Sequence, residues 1–150
     1  MKKELKDYLH LYLGCVGFGS SGCAICLTAE SLTLILKGEV KFTPILRPLS
    51  DMTKEEMKEL YLIVFNRKFL GDNITHRDIG KKNERWVLWS GVERLFIYSD
   101  GDVGADSDLS HYRVHMPTVI LWFLSKHFDL FGLIDAGLAI DATEIKKTVQ

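Results

Sequence analysis

Arg85, Trp86, Trp89 and Arg94 set cations beside indole rings, the combination on which single-stranded nucleic acid stacks. The same tryptophans, three residues apart, also suit a packed core, so exposure decides between the two uses. A little further on, Asp100, Asp102, Asp106 and Asp108 gather carboxylates. Calcium binding of the EF-hand kind fails on order, because Gly104 and Asp106 are misplaced and no glutamate closes the loop. The expectation is an acidic hairpin loop, which can still face a basic partner much as phosphates do. These residues are the binding candidates.

Gly17-Phe18-Gly19-Ser20-Ser21-Gly22 has the G-x-G-x-x-G spacing of a dinucleotide fingerprint. That chemistry needs a strand before the glycines and a helix N-terminus after them to hold a pyrophosphate. Residues 5–12 before them carry helical spacing instead, and Glu39 precedes the strand-like Val40-Lys41-Phe42 when an acid should end it. A hairpin turn is the expected use, with nucleotide binding as an alternative. Cys23-Ala24-Ile25-Cys26 is a C-x-x-C pair. Zinc would need two more ligands, and redox exchange would need a helix start. On a strand this spacing sends the sulfurs to opposite faces. If Phe18 pairs with Cys23, Cys15 faces Cys26. Reduced core thiols are expected. His111 and His115 would share a face on a helix, but they run into Met116-Pro117, which favours extended backbone. Extended, they lie about 13 Å apart, too far for one ion. No serine or cysteine stands in a recognisable elbow or triad. No metal, cofactor or catalytic centre is therefore expected.

The elements follow from spacing. Leu5, Tyr8, Leu9 and Tyr12 recur at i, i+3, i+4 and i+7, which predicts an amphipathic helix over 2–13. Residues 15–18 and 23–27 flank the glycine-serine turn, and 31–36 and 40–42 continue a meander of three or four short strands. Pro44 and Pro48 predict an extended connector over 43–49. Thr53-Lys54-Glu55-Glu56 is a capping box that starts a second helix, with Met57, Leu60, Tyr61 and Val64 as its buried stripe. Residues 66–84 read as a long loop, 86–89 and 92–98 as strands, and Asp100-Gly101 as a turn. Pro117 suits the first turn of a third helix, and 119–124 is apolar all round, which places that helix deep in a core. Asp129, Asp135 and Asp141 recur every six residues and read as turn and cap chemistry.

Composition bounds the class. The chain has 150 residues, 47% hydrophobic and 26% charged, enough for one cored domain and unlike a disordered segment. The net charge of -1 gives no general attraction to polyanions. Locally, Arg67, Lys68, Arg77, Lys81, Lys82 and Arg85 outnumber Asp72, Asp78 and Glu84, next to the aspartate-rich 100–108. Residues 11–29 carry no charge over nearly a membrane span of about 20 residues, but their glycine-serine centre reads as a turn. Neither a signal peptide nor a membrane helix is expected. Three cysteines without a signal suggest reduced thiols in a cytoplasm.

Three segments carry a family resemblance: Lys6-Asp7-Tyr8-Leu9-His10-Leu11-Tyr12-Leu13-Gly14-Cys15, Pro44-Ile45-Leu46-Arg47-Pro48-Leu49-Ser50-Asp51-Met52-Thr53, and 124–141 around Phe131-Gly132-Leu133-Ile134-Asp135-Ala136-Gly137. Together they resemble a family of small proteins of unknown function encoded in prophages and mobile elements of Bacteroidota. The resemblance covers both ends and the connector, not residues 61–115. It implies a phage-like context and a bacterial cytoplasm, and no functional residues.

The resulting expectation is a single α+β domain over 1–150: N-terminal helix, small antiparallel meander, second helix, further hairpin, buried C-terminal helix. Its expected role is non-catalytic binding to a host or phage protein, such as inhibition of a host-defence protein. A nucleic-acid-binding accessory role is the alternative, beside the nucleotide-binding one.

Overall fold

The computed structural model describes residues 3–71, 73–77, 85–98, 100–107 and 113–148. The fold is α+β, as expected, with helices set against two four-stranded sheets. The chain divides into two compact units, Met1–Pro48 with Leu124–Gln150, and Leu49–Phe123.

The first unit begins with two 3-10 turns, Leu5–Asp7 and Leu9–Tyr12, where a continuous helix was expected. A 3-10 turn brings residues three apart into line, so Leu9 and Tyr12 both enter the core while Leu5 and Tyr8 pack against it. Strands β1 (Val16–Gly19) and β2 (Ala24–Cys26) form the expected hairpin. Residues 31–36, expected as a strand, belong instead to helix α1 (Ala29–Leu36). The reason is local: the Thr28 hydroxyl accepts from the Ser31 amide at 3.2 Å, and the Ser31 hydroxyl accepts from the Thr28 amide at 2.8 Å. This reciprocal cap satisfies amides that a helix start leaves open.

Strand β3 (Phe42–Leu46) replaces most of the expected connector and runs through Pro44. The register explains the tolerance. Gly19 and Cys15 hydrogen-bond with β2, so Gly17 between them also directs its amide and carbonyl to β2. Pro44, opposite Gly17, therefore turns its nitrogen away from β1. On that side β8 (Ile140–Asp141) pairs in parallel at Ile45 and Leu46 alone. No ladder bond is lost to the proline. The core of this unit is Leu9, Tyr12, Cys15, Leu27, Phe42, Leu46, Leu124, Leu133 and Ala139. The expected cap chemistry is present in the C-terminal segment. The Asp129 carboxylate accepts the amides of Phe131, Leu133 and Ile134 at 3.3, 2.9 and 2.9 Å. Asp141 accepts the Thr143 amide at 2.7 Å to start helix α4 (Ala142–Thr148).

The second unit holds helix α2 (Lys54–Phe65), started by the expected Thr53–Glu56 capping box. Met57, Leu60, Tyr61 and Phe65 are its buried side chains; Phe65 takes the place expected of Val64, which is half-buried. Strands β4 (Ile74–Arg77), β5 (Arg85–Trp89), β6 (Glu93–Tyr98) and β7 (Val103–Ser107) follow as an antiparallel meander in chain order. The expected 66–84 loop thus contains a strand, because Ile74 to Arg77 pair with Leu88 to Arg85. Helix α3 (Met116–Ser125) buries Val119, Trp122 and Phe123 within this unit. It is not buried all round, since Ile120 and Leu121 are 39% and 68% exposed. An apolar sequence allows burial on every side; packing against α2 takes one stripe, where the Trp122 indole donates to Glu59 Oε1 at 3.0 Å.

A candidate binding face on the second sheet

Alternation along β5 and β6 sorts their side chains between two faces. One face is core: Leu88, Leu95 and Ile97 are fully buried, with Val103 beside them. Glu93 shares it and is the buried charged residue among those described. Its carboxylate accepts from the Tyr61 hydroxyl at 2.6 Å and from Arg67 Nη1 at 3.4 Å. Burial, and then the bond to Glu93, pushes the Tyr61 phenol above its ordinary pKa. The Ser90 hydroxyl accepts the Glu93 amide at 3.1 Å, and Glu93 O accepts the Ser90 amide at 3.0 Å. Helix α2 and the β5–β6 turn are thereby tied at one point, where Gly91 takes a positive φ of 96°.

The opposite face carries four of the eight candidates by register, Arg85, Trp89, Arg94 and Asp106, and also the buried Val87. Trp89, Arg94, Phe96, Tyr98, Gly104 and Asp106 fall on it by register, with Trp89 opposite Arg94, Arg94 opposite Asp106, and Phe96 opposite Gly104. Trp89 is 48% exposed. Arg94 Nη2 and Asp106 Oδ2 stand 3.7 Å apart as a part-exposed cross-strand ion pair. Phe96 and Tyr98 are half-buried because they lie over the bare backbone of Gly104. A Cβ placed there would meet Phe96 Cδ2 at 3.6 Å and Tyr98 Cε2 at 3.8 Å. Aromatic side chains covering a strand glycine in this way brace the sheet while leaving their edges accessible.

The other sequence candidates are placed less uniformly. Trp86 falls on the core face and is half-buried, so the two tryptophans do not form one platform. Arg85 opens β5 opposite Tyr98. Asp100 and Asp102 are exposed in the β6–β7 turn, where Asp100 Oδ1 accepts the Asp102 amide at 3.1 Å. The expected acidic loop is shorter than 100–108, because Asp106 lies within β7. Asp108 and His111 lie outside the described residues. His115 is exposed, with Nδ1 2.7 Å from Thr118 Oγ1. Gly104 is the member of this face that the sequence reading missed; a strand glycine opposite an aromatic pair two apart is the signal that could have found it.

The glycine-rich segment joins two antiparallel strands. Gly19 accepts the Gly22 amide at 3.0 Å and donates to Cys23 O at 3.1 Å, with Gly22 at φ 74°. Strand β2, and not a helix, follows this three-residue loop. The register also corrects the thiols: Phe18 pairs with Ala24, so Cys26 faces Val16 and not Cys15. The register is set at the turn, where Gly19 bonds with Cys23; beyond the ladder Gly14, at φ 87°, forms a bulge in which its amide donates to Leu27 O and Leu27 donates to Cys15 O, both at 2.8 Å. Cys15 is a core thiol pushed up to about 11, chiefly by burial. Cys23 and Cys26, expected in the core, are exposed. Among the described residues no group of His, Cys, Asp and Glu could hold a metal ion, and no helix is long and apolar enough to cross a membrane.

No family model matches the chain, and no curated protein and no solved structure matches it either.

Proposed function

We propose that this is a non-catalytic protein-binding module acting in a bacterial cytoplasm, and that it docks through the outer face of the β4–β7 sheet. One observation carries the reading: a half-exposed Trp89 shares that face with Phe96, Tyr98 and the Arg94–Asp106 pair. Tryptophan, tyrosine and arginine dominate the energetics of protein interfaces, since each buries a large area with a polar handle. By register Arg77, Arg85 and Arg94 fall on this face with Asp106, while Asp100 and Asp102 stand in the adjoining turn, a mixture of signs that suits a protein surface better than a polyanion. The resemblance to prophage and mobile-element proteins supports a host protein as the target, a host-defence component among them.

Affinity purification of tagged protein from a related bacterial lysate tests this, with nuclease-treated and untreated halves compared by mass spectrometry. A stoichiometric partner that survives nuclease and is lost in Trp89→Ala is the expected result. Recovery of nuclease-sensitive material alone would select the nucleic-acid reading, in which the same aromatics stack on bases.

A further inference from the structure

The margin of this face specifies the partner more closely. Among the described residues β7 is the last strand of its sheet. The Tyr98 amide donates to Asp102 O at 2.9 Å, so residues 94, 96 and 98 bond with 106, 104 and 102 across the β6–β7 ladder. Val103 and Ala105 stand in the alternate pairs, and their backbone groups point outward from the sheet. The Val103 amide is met by Asp102 Oδ1 at 3.2 Å. The amide and carbonyl of Ala105 form the middle of the outward edge.

A strand laid along this edge would bring alternate side chains beside Asp106, Gly104 and Asp102. At Gly104 the β7 backbone is covered by Phe96 and Tyr98, whose rings give an apolar side chain of the added strand a surface to pack against. The positions two residues to either side meet carboxylates. Along β6, β7 and their turn the exposed or part-exposed charges are Arg94 against Asp100, Asp102 and Asp106. A second copy of β7 would set the same acids against one another, so the charge selects a cationic strand. We infer that the β7 edge takes up an extended segment of the partner protein by strand addition, with basic, apolar and basic residues at alternate positions. This rests on the reading of the sheet face as a protein-docking surface.

The probe is an end-capped, fluorescein-labelled threonine peptide carrying lysine, leucine and lysine at alternate central positions, followed by anisotropy. Saturable binding is expected. Glutamates in place of the lysines should weaken it about tenfold or more, as should N-methylation of the amides that would face β7. Ala105→Pro should do the same. It removes only an outward amide, as edge strands tolerate, and the N-methylated peptide gives the same readout on the unaltered protein. Absence of saturable binding, or equal affinity for the N-methylated peptide, overturns strand addition. Partner capture that is lost in Trp89→Ala but unchanged in Ala105→Pro would overturn it too, while leaving the docking face standing.

Discussion

Glu93 and Cys15 are the residues whose chemistry depends most on where the fold has put them. Tyr61→Phe deletes the hydroxyl that donates to the buried Glu93 carboxylate at 2.6 Å. A hydrogen bond to a charged, desolvated acceptor contributes about 1–3 kcal/mol, and urea unfolding should show a loss of that size. Cys15 gives a pH test. Its folded pKa, about 11, lies above the 9.0 of an ordinary thiol, so folding favours the protonated form. The contribution is complete below pH 9 and disappears as pH rises from 9 to 11, with a span of order 2 kcal/mol. Urea midpoints measured across that window should fall in the wild type, and the Cys15 contribution to that fall should vanish in Cys15→Ala. Thiol labelling gives a companion readout: Cys23 and Cys26 react in the folded protein, whereas Cys15 waits for unfolding.

At the level of elements, two short signals decide more than hydrophobic pattern does. The bulge at Gly14 lets Leu27 bond with both Gly14 and Cys15 at the end of the β1–β2 hairpin, and its φ of 87° costs about 1–2 kcal/mol for a side chain bearing Cβ. Gly14→Ala should therefore lower stability by that amount in chemical denaturation, although the nearest atom to the added Cβ, His127 Nε2, is 3.9 Å away. A larger loss would point to packing and not to backbone strain. The Thr53–Glu56 capping box was legible because both partners sit in fixed sequence positions. Thr53→Ala should cost about 1 kcal/mol by the same measurement. The Thr28–Ser31 cap that turns 29–36 into a helix uses serine where glutamate is usual, and the branched and leucine-rich stretch behind it reads as strand when that cap goes unseen.

For the whole molecule, charge is balanced, and the distribution decides what can bind. A net charge of -1 with acids beside the aromatic face predicts that affinity for a single-stranded oligonucleotide is weak. Anisotropy titrations at several salt concentrations should show no steep salt dependence. A strong inverse dependence would show several phosphate contacts and would favour the alternative reading.

By itself the sequence determined the α+β class, the capping box, the hairpin at 17–22, and the strands that carry Trp89, Arg94, Phe96 and Tyr98. Each of these depends on neighbours within a few residues, where periodicity, glycine and caps act. Which face a residue took, and what it met there, was left to the tertiary structure. Trp86 and Trp89 part to opposite faces of β5, yet how far each is covered was set by packing, since both Val87 and Leu88 are buried, one on each face. Glu93 found Tyr61 across 32 positions in the chain, and Pro44 fitted a strand because of how β1 and β8 flank it. Such pairings are set by the packing and register of distant segments, and no local spacing encodes them.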